Sequence, residues 1–189
     1  RAAANRWCSL VTPVIKSMCT HQAFHGASEC LQVFGGHGYV KEWGIEQIVR
    51  DSRVAMIYEG TNEIQAIDLL VRKVLPDGGA AMHALLDDLL ADSAWTQPSA
   101  ALQAHADALR KVTAELVVAN GKDASAAVST IYGVAGDYLR ATGLVLLQWA
   151  AERLKAHQSG SGSAAAYEAW ALPELTMRLD IMHSQLSKI

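Results

Sequence analysis

Three things are scarce in this 189-residue sequence: cysteine, with only three, aromatic residues, at 6%, and any run of Lys or Arg. The cationic side chains are scattered and the formal net charge is −3, which excludes an electrostatic grip on nucleic acid or an anionic membrane. Long apolar runs are missing as well. The most apolar window, residues 134–149, contains Asp137, Arg140 and Gln148 and does not supply the ~20 apolar residues that a membrane helix needs. Arg1 opens a polar, alanine-rich segment unlike the apolar stretch of a secretion signal. A soluble, cytoplasmic protein is therefore expected. The opening reads as mid-helix without an initiator Met, as a piece of a longer chain would.

Cys8, Cys19 and Cys30 are each eleven residues from the next. On one helix that spacing means about 16 Å of rise per step. Disulfide geometry needs Cα atoms within roughly 7 Å, so no two can pair within a helix. Nor is it the close spacing of a zinc site. They are expected as small apolar residues in a reduced core.

What is present is 51% hydrophobic and 19% charged, ordinary for a soluble globular protein and rich in Ala, Leu and Val. Trp7, Leu10, Val14, Met18, Phe24, Ala27 and Leu31 recur at helical spacing, and Pro13 is a candidate kink. Gly35-Gly36-His37-Gly38 interrupts the pattern with residues unsuited to a helix. Ile45 to Met56 restores it, Glu59-Gly60-Thr61 breaks it again, and Ile64 to Val74 resumes it, with Thr61 or Asn62 suited to the N-cap. Pro76-Asp77-Gly78-Gly79 divides the chain into residues 1–75, a linker at 76–80, and residues 81–189.

Beyond it, helices are expected over Met82 to Leu90, Leu102 to Leu116 and about Ala124 to His157, then near Ala164 and Pro173. A loop falls at 92–99, Asn120-Gly121 ends one helix, and Ser159 to Ser163 reads as flexible. Gly133, Gly136 and Gly143 lie inside the long helix and point to close helix–helix contact, since each costs about 1 kcal/mol relative to Ala. With no strand alternation and no internal repeat, the expected fold is all-α.

Two segments carry chemistry. Gln32-Val33-Phe34-Gly35-Gly36-His37-Gly38-Tyr39 is a glycine-rich turn at a helix end, able to bring a backbone close to an anion such as a pyrophosphate. By itself it reads as a helix–helix turn before it reads as a ligand site, and it follows no strand, so it is no dinucleotide fingerprint. The second holds Arg50-Asp51-Ser52-Arg53 and Ile57-Tyr58-Glu59-Gly60-Thr61-Asn62-Glu63-Ile64-Gln65. A lone Glu at such a turn is usually solvated and idle, whereas one in an apolar pocket can act as a base.

Together, in this order and spacing, Gln-x-x-Gly-Gly-x-Gly-Tyr, Arg-Asp-x-Arg and Ile-Tyr-Glu-Gly-Thr-Asn-Glu-Ile-Gln resemble the acyl-CoA dehydrogenase family over residues 1–75. Glu-Trp-Gly-Ile-Glu-Gln (42–47) and the helical tail are similar to the long-form bacterial branch that includes the methylthiopropanoyl-CoA dehydrogenases. The resemblance implies the end of a C-terminal helical domain followed by an extension. It implies α,β-dehydrogenation of an acyl-CoA to a trans-2-enoyl-CoA, with Glu59 as the α-proton base and FAD as hydride acceptor. The Glu59 N–H would help polarise the thioester carbonyl, and Gly60 would contact substrate. Thr61, Asn62 and Glu63 would lie along FAD. Gln32, Val33, Phe34, Gly35 and Gly36 would touch the FAD of a neighbouring subunit, implying at least a homodimer. Electron-transferring flavoprotein is the implied acceptor.

Gln47 departs from the family, which often has a basic residue there. The domains that supply much of the flavin and acyl-CoA site are not in this chain, so residues 1–189 alone are expected neither to hold FAD tightly nor to turn over. Two other readings remain: a non-catalytic helical oligomerisation module, and an acyl-CoA oxidase passing electrons to oxygen. His21 and His25 share a helix face at a zinc-compatible spacing but lack a third ligand, and no metal is expected. Arg50 and Arg53 suit a phosphate or local ion pairs. His37 is expected to pack or to face solvent. Trp43, Trp95, Trp149 and Trp170 suit core or interface positions, and Asp87 and Asp88 a solvated helix face.

Overall fold

A computed structural model describes residues 2–94, 97–122, 125–157 and 162–189. Among the described residues there is no strand, and the fold is all-α. The helices are α1 (Ala2–Val33), α2 (Gly36–Tyr39), α3 (Ile45–Ala55), α4 (Asn62–Ile67), α5 (Ala80–Leu90), α6 (Ala100–Asn120), α7 (Ser125–His157), α8 (Gly162–Ala166) and α9 (Glu174–Leu186). Short 3₁₀ turns at Lys41–Trp43 and Leu75–Asp77 fill two of the junctions.

Local chemistry sets several of the ends. The Thr61 hydroxyl accepts from the Ile64 N–H at 3.3 Å and starts α4, and the Ser99 hydroxyl accepts from the Leu102 N–H at 3.0 Å and starts α6. The Asp77 carboxylate takes the Gly79 and Ala81 N–H groups at 3.0 and 2.9 Å, closing the turn before α5. The helix begun at Asn62 does not stay α-helical to Val74. It widens to π-helical geometry over Asp68–Val74, keeping Leu69, Leu70 and Val74 buried.

The core runs across the Pro76–Gly79 turn. Leu10 and Val14 of α1, Leu69 and Leu70, Leu86 of α5, Leu109 of α6, Leu144 of α7 and Met182 of α9 belong to one buried cluster. Each fully buried Leu contributes about 1.5–3 kcal/mol of transfer free energy. Two polar groups enter this interior already paired. The Tyr138 and Thr113 hydroxyls bond at 2.8 Å, and Thr113 also donates to the Leu109 carbonyl at 2.7 Å. Burial pushes the Tyr138 phenol well above its ordinary pKa.

Ion pairs tie α9 and the loop after α5 to α7, and a ring contact joins α7 to α1. Glu174 accepts from Arg140 and Arg178, and Arg178 also reaches Asp137 at 2.8 Å. Trp149 donates to Asp92 at 2.9 Å and lies 5.7 Å, centroid to centroid, from Trp7.

Several expectations fail here. Gly36–Tyr39 forms a helical turn, made possible because α1 stops at Val33 and the chain re-enters through Gly35 at φ 60°. Cys8, Cys19 and Cys30 are all exposed, because the face they share lies away from the one carrying Leu10 and Val14. Asp87 and Asp88 do lie on an exposed helix face, as expected, and they also find partners there: Asp87 pairs with Arg110, and Asp88 accepts from Arg6 at 2.9 Å and from Trp7 at 3.0 Å. Of the three glycines in α7 only Gly143 makes a close approach, to Met18, and a Cβ at Gly133 or Gly136 meets nothing within 4 Å. Trp149 is partly buried, whereas Trp170 is 87% exposed. Trp95, the Ala124 start of the long helix and most of the Ser159 to Ser163 loop lie outside the described residues, although Gly162 and Ser163 are already in α8.

Candidate active site

The turn between α3 and α4 has an unusual backbone. Glu59 is the single non-glycine among the described residues with positive φ, at 54°, and Gly60 follows at 85°. A non-glycine in this region costs of order 1 kcal/mol and persists only where its surroundings hold it. At Gly60 a Cβ would stand 3.0 Å from the Gln65 amide nitrogen, so both space and φ favour glycine.

The surroundings hold this turn from both sides. The Asn62 N–H donates to the Met56 carbonyl at 3.2 Å and closes its base. The Gln65 amide donates to the Glu59 carbonyl at 3.3 Å. From α1, the Lys16 ammonium donates to the Gly60 carbonyl at 2.8 Å and to Asn62 Oδ1 at 2.9 Å. The Thr20 hydroxyl, 3.1 Å from the same Asn62 oxygen, adds a third contact, and Asn62 Nδ2 donates to the Ser17 carbonyl at 3.4 Å. Lys16, Ser17 and Thr20 carried no signal in the sequence, where a Lys between apolar positions of an amphipathic helix reads as a solvated side chain.

The Glu59 carboxylate is exposed and forms no hydrogen bond or ion pair with a described residue. Glu63 is different. Its own backbone N–H first, and the Thr61 hydroxyl next, hold its carboxyl below the ordinary Glu range. Behind this segment is a cleft of about 320 Å³ whose walls include Met18, His21, Glu63, Arg140 and Arg178. The His21 imidazole there is pushed to lower pKa by burial and then by His25, whose ring lies 4.2 Å away. No group of three or more His, Cys, Asp or Glu side chains among the described residues is arranged to hold a metal.

The glycine-rich segment stands apart from this turn. Twelve residues of α1 separate Thr20 from Gln32, about 18 Å of helix rise. Gln32, Val33, Phe34, Gly35 and Gly36 are all exposed, Val33 by 86%. Gly38, in contrast, is buried: a Cβ there would sit 2.6 Å from the Leu31 carbonyl oxygen. His37 and Phe34 pack edge-on to Trp43, at 5.4 and 6.4 Å between centroids. Arg53 lies 5.7 Å over the Phe24 ring, and Gln47 donates to Asp51 at 2.7 Å.

No helix among the described residues is long and apolar enough to cross a membrane. Residues 2–74 match the family description "Acyl-CoA dehydrogenase, C-terminal domain". The 3-methylmercaptopropionyl-CoA dehydrogenase of Ruegeria pomeroyi is 48% identical over 79 residues, 42% of this chain and 13% of that protein. The broad-specificity linear acyl-CoA dehydrogenase FadE5 of Mycobacterium tuberculosis is 41% identical over 73 residues, 39% of this chain and 12% of that one. An acyl-CoA dehydrogenase of Bacillus subtilis is 38% identical over 71 residues, covering 38% of this chain and 18% of its own length. The chain thus spans about an eighth of the length of the first two. Through residues 2–74, the chain is similar to the C-terminal domain of the acyl-CoA dehydrogenases.

Proposed function

We propose that this chain supplies the base-bearing segment of a flavin-dependent acyl-CoA dehydrogenase. Residues 1–75 form the end of its C-terminal helical domain, and residues 81–189 an extension. The observation that carries the reading is the backbone at Glu59, a clamped positive-φ turn beside a glycine that presents a carboxylate with no hydrogen-bond or ion-pair partner among the described residues. Its part is to take the α-proton of an acyl-CoA thioester. That proton is too weakly acidic for an unaided carboxylate, so the thioester oxygen must meet preorganised donors as charge develops. The Glu59 N–H is one such donor, and Gly60 leaves room for the acyl chain. Thr61, Asn62 and Glu63, at the start of α4, would lie along FAD, which when bound supplies the hydride acceptor.

The separation along α1 supports a further part of the reading. Gln32 to Gly36 lie too far from Asn62 to line the same stretch of one cofactor, as expected if they meet the FAD of a neighbouring subunit in a homodimer or larger assembly. Electron-transferring flavoprotein is the proposed acceptor. The relatives' names make linear or methylthio-substituted acyl-CoAs the first substrates to try.

The test uses the full-length parent protein, titrated anaerobically with acyl-CoAs while the oxidised-flavin absorbance is followed. Bleaching is expected in the parent and should slow by about 10²–10⁴-fold in Glu59→Gln, the usual weight of a general base. A parent that binds no flavin, or a Glu59→Gln variant that bleaches at the parent's rate, would sink the assignment. Bleaching with rapid oxygen reoxidation would favour an oxidase instead.

A further inference from the structure

Glu59 sits in a backbone conformation that needs holding, and the group best placed to hold it is on another helix. Lys16 projects from α1 and donates to the Gly60 carbonyl at 2.8 Å and to Asn62 Oδ1 at 2.9 Å. Its ammonium is partly buried and its acceptors here are neutral, a backbone carbonyl and a side-chain amide. Charge-assisted bonds of this kind are stronger than neutral ones. The Gly60 carbonyl belongs to the Gly60–Thr61 peptide that ends the positive-φ pair, so fixing it anchors the far side of the turn that carries Glu59, whose own carbonyl is held by the Gln65 amide. Asn62, receiving both Lys16 and Thr20, ties the first residue of α4 to the same turn of α1.

We propose that Lys16 is a positioning residue for the α-proton abstraction, clamping the Glu59-Gly60 turn so that the carboxylate is presented in a single orientation; this rests on Glu59 being the base. Lys16 touches neither substrate nor flavin in this scheme. It acts through the Gly60 carbonyl and Asn62. A carboxylate displaced by about 1 Å can lose about 10²-fold in rate without loss of binding.

The full-length flavoprotein is the object of the test, with Lys16→Met and Lys16→Arg beside Glu59→Gln. The readouts are flavin content, acyl-CoA affinity, and the limiting rate of anaerobic flavin bleaching with its α-deuterium isotope effect. Lys16→Met is expected to keep its flavin and near-parent affinity, to bleach roughly 10- to 100-fold more slowly, and to show a larger isotope effect as proton transfer becomes limiting. Lys16→Arg retains the charge but cannot place a planar fork on both acceptors as an ammonium does, and should bleach at a rate between the two. If Lys16→Met fails to load flavin, Lys16→Arg decides: slowed bleaching at parent affinity supports the clamp, parent-rate bleaching overturns it. Parent-like rates in both variants, or a loss confined to affinity, also overturn it. Parent-rate bleaching in Glu59→Gln removes the base assignment itself, an outcome separable from failure of the clamp alone.

Discussion

The glycines of α7 allow one part of the packing to be tested in isolation. Gly133, Gly136 and Gly143 share a helix, so replacing each with Ala brings the same intrinsic gain of about 1 kcal/mol. Their surroundings differ. At Gly133 and Gly136 the new methyl meets no atom within 4 Å, and both positions are exposed. At Gly143 it would stand 2.8 Å from Met18 Cγ and Sδ and 2.9 Å from Cε. Met18 borders the cleft and can give way only by breaking its contact with Arg140, whose Nη1 lies 3.1 Å from the Met18 sulfur and which is itself fixed by Glu174. Overpacking a filled site costs about 1–3 kcal/mol, enough to cancel or outweigh the helical gain. For a chain of this size 1 kcal/mol moves Tm by about 2–4 °C. Gly133→Ala and Gly136→Ala should therefore each raise the midpoint by about that much, while Gly143→Ala leaves it unchanged or lowers it by several degrees. Thermal and urea unfolding followed by helical circular dichroism would read the series. Equal stabilisation by all three substitutions would refute the close approach of α1 to α7.

Glu174 gives a pH dependence of defined sign. The Arg140 hydrogen bond first, with Arg178 adding to it, depresses its folded pKa, so the carboxylate stabilises the fold above the unfolded Glu value of about 4.3, and that contribution fades as pH falls through the lower folded value. Urea midpoints measured from pH 6 to 3 should fall more steeply in the parent than in Glu174→Gln; parallel curves would contradict the pairing. Tyr138→Phe should cost about 0.5–1.5 kcal/mol in urea unfolding, because Thr113 keeps its bond to the Leu109 carbonyl and is left without a donor rather than without any partner. A neutral or stabilising result would deny the buried hydroxyl pair.

The sequence was most legible where a residue type has few reasons to exist. Thr61 before an apolar period announced a helix start, and the structure puts its hydroxyl on the Ile64 N–H. Gly60 announced a break, and its φ of 85° explains it. The motifs around Glu59 pointed to the family as a set, since no one of them is specific. What stayed hidden depends on partners distant in sequence. Nothing near Lys16 tells that it reaches a turn 44 residues later, and nothing near Asp88, exposed as expected, tells that Arg6 and Trp7 reach it. The cysteines misled because a spacing of eleven fixes a shared helix face without saying which face is covered. The π-helical stretch at Asp68–Val74 left no trace because its apolar residues repeat much as an α-helix would have them.

The bond between Arg140 and Met18 joins positions 122 apart in the chain. On a ribosome adding about 5–20 residues per second, some 6–24 s pass between synthesis of the two. Through that interval the side of α1 that later receives α7 has no native cover. The helix that grips the Glu59 turn is thus braced by helices made long after it, and a truncated or stalled product would carry the family motifs intact on a scaffold still lacking its backing. Completion of the tail, rather than appearance of the motifs, then marks when this region reaches its working shape.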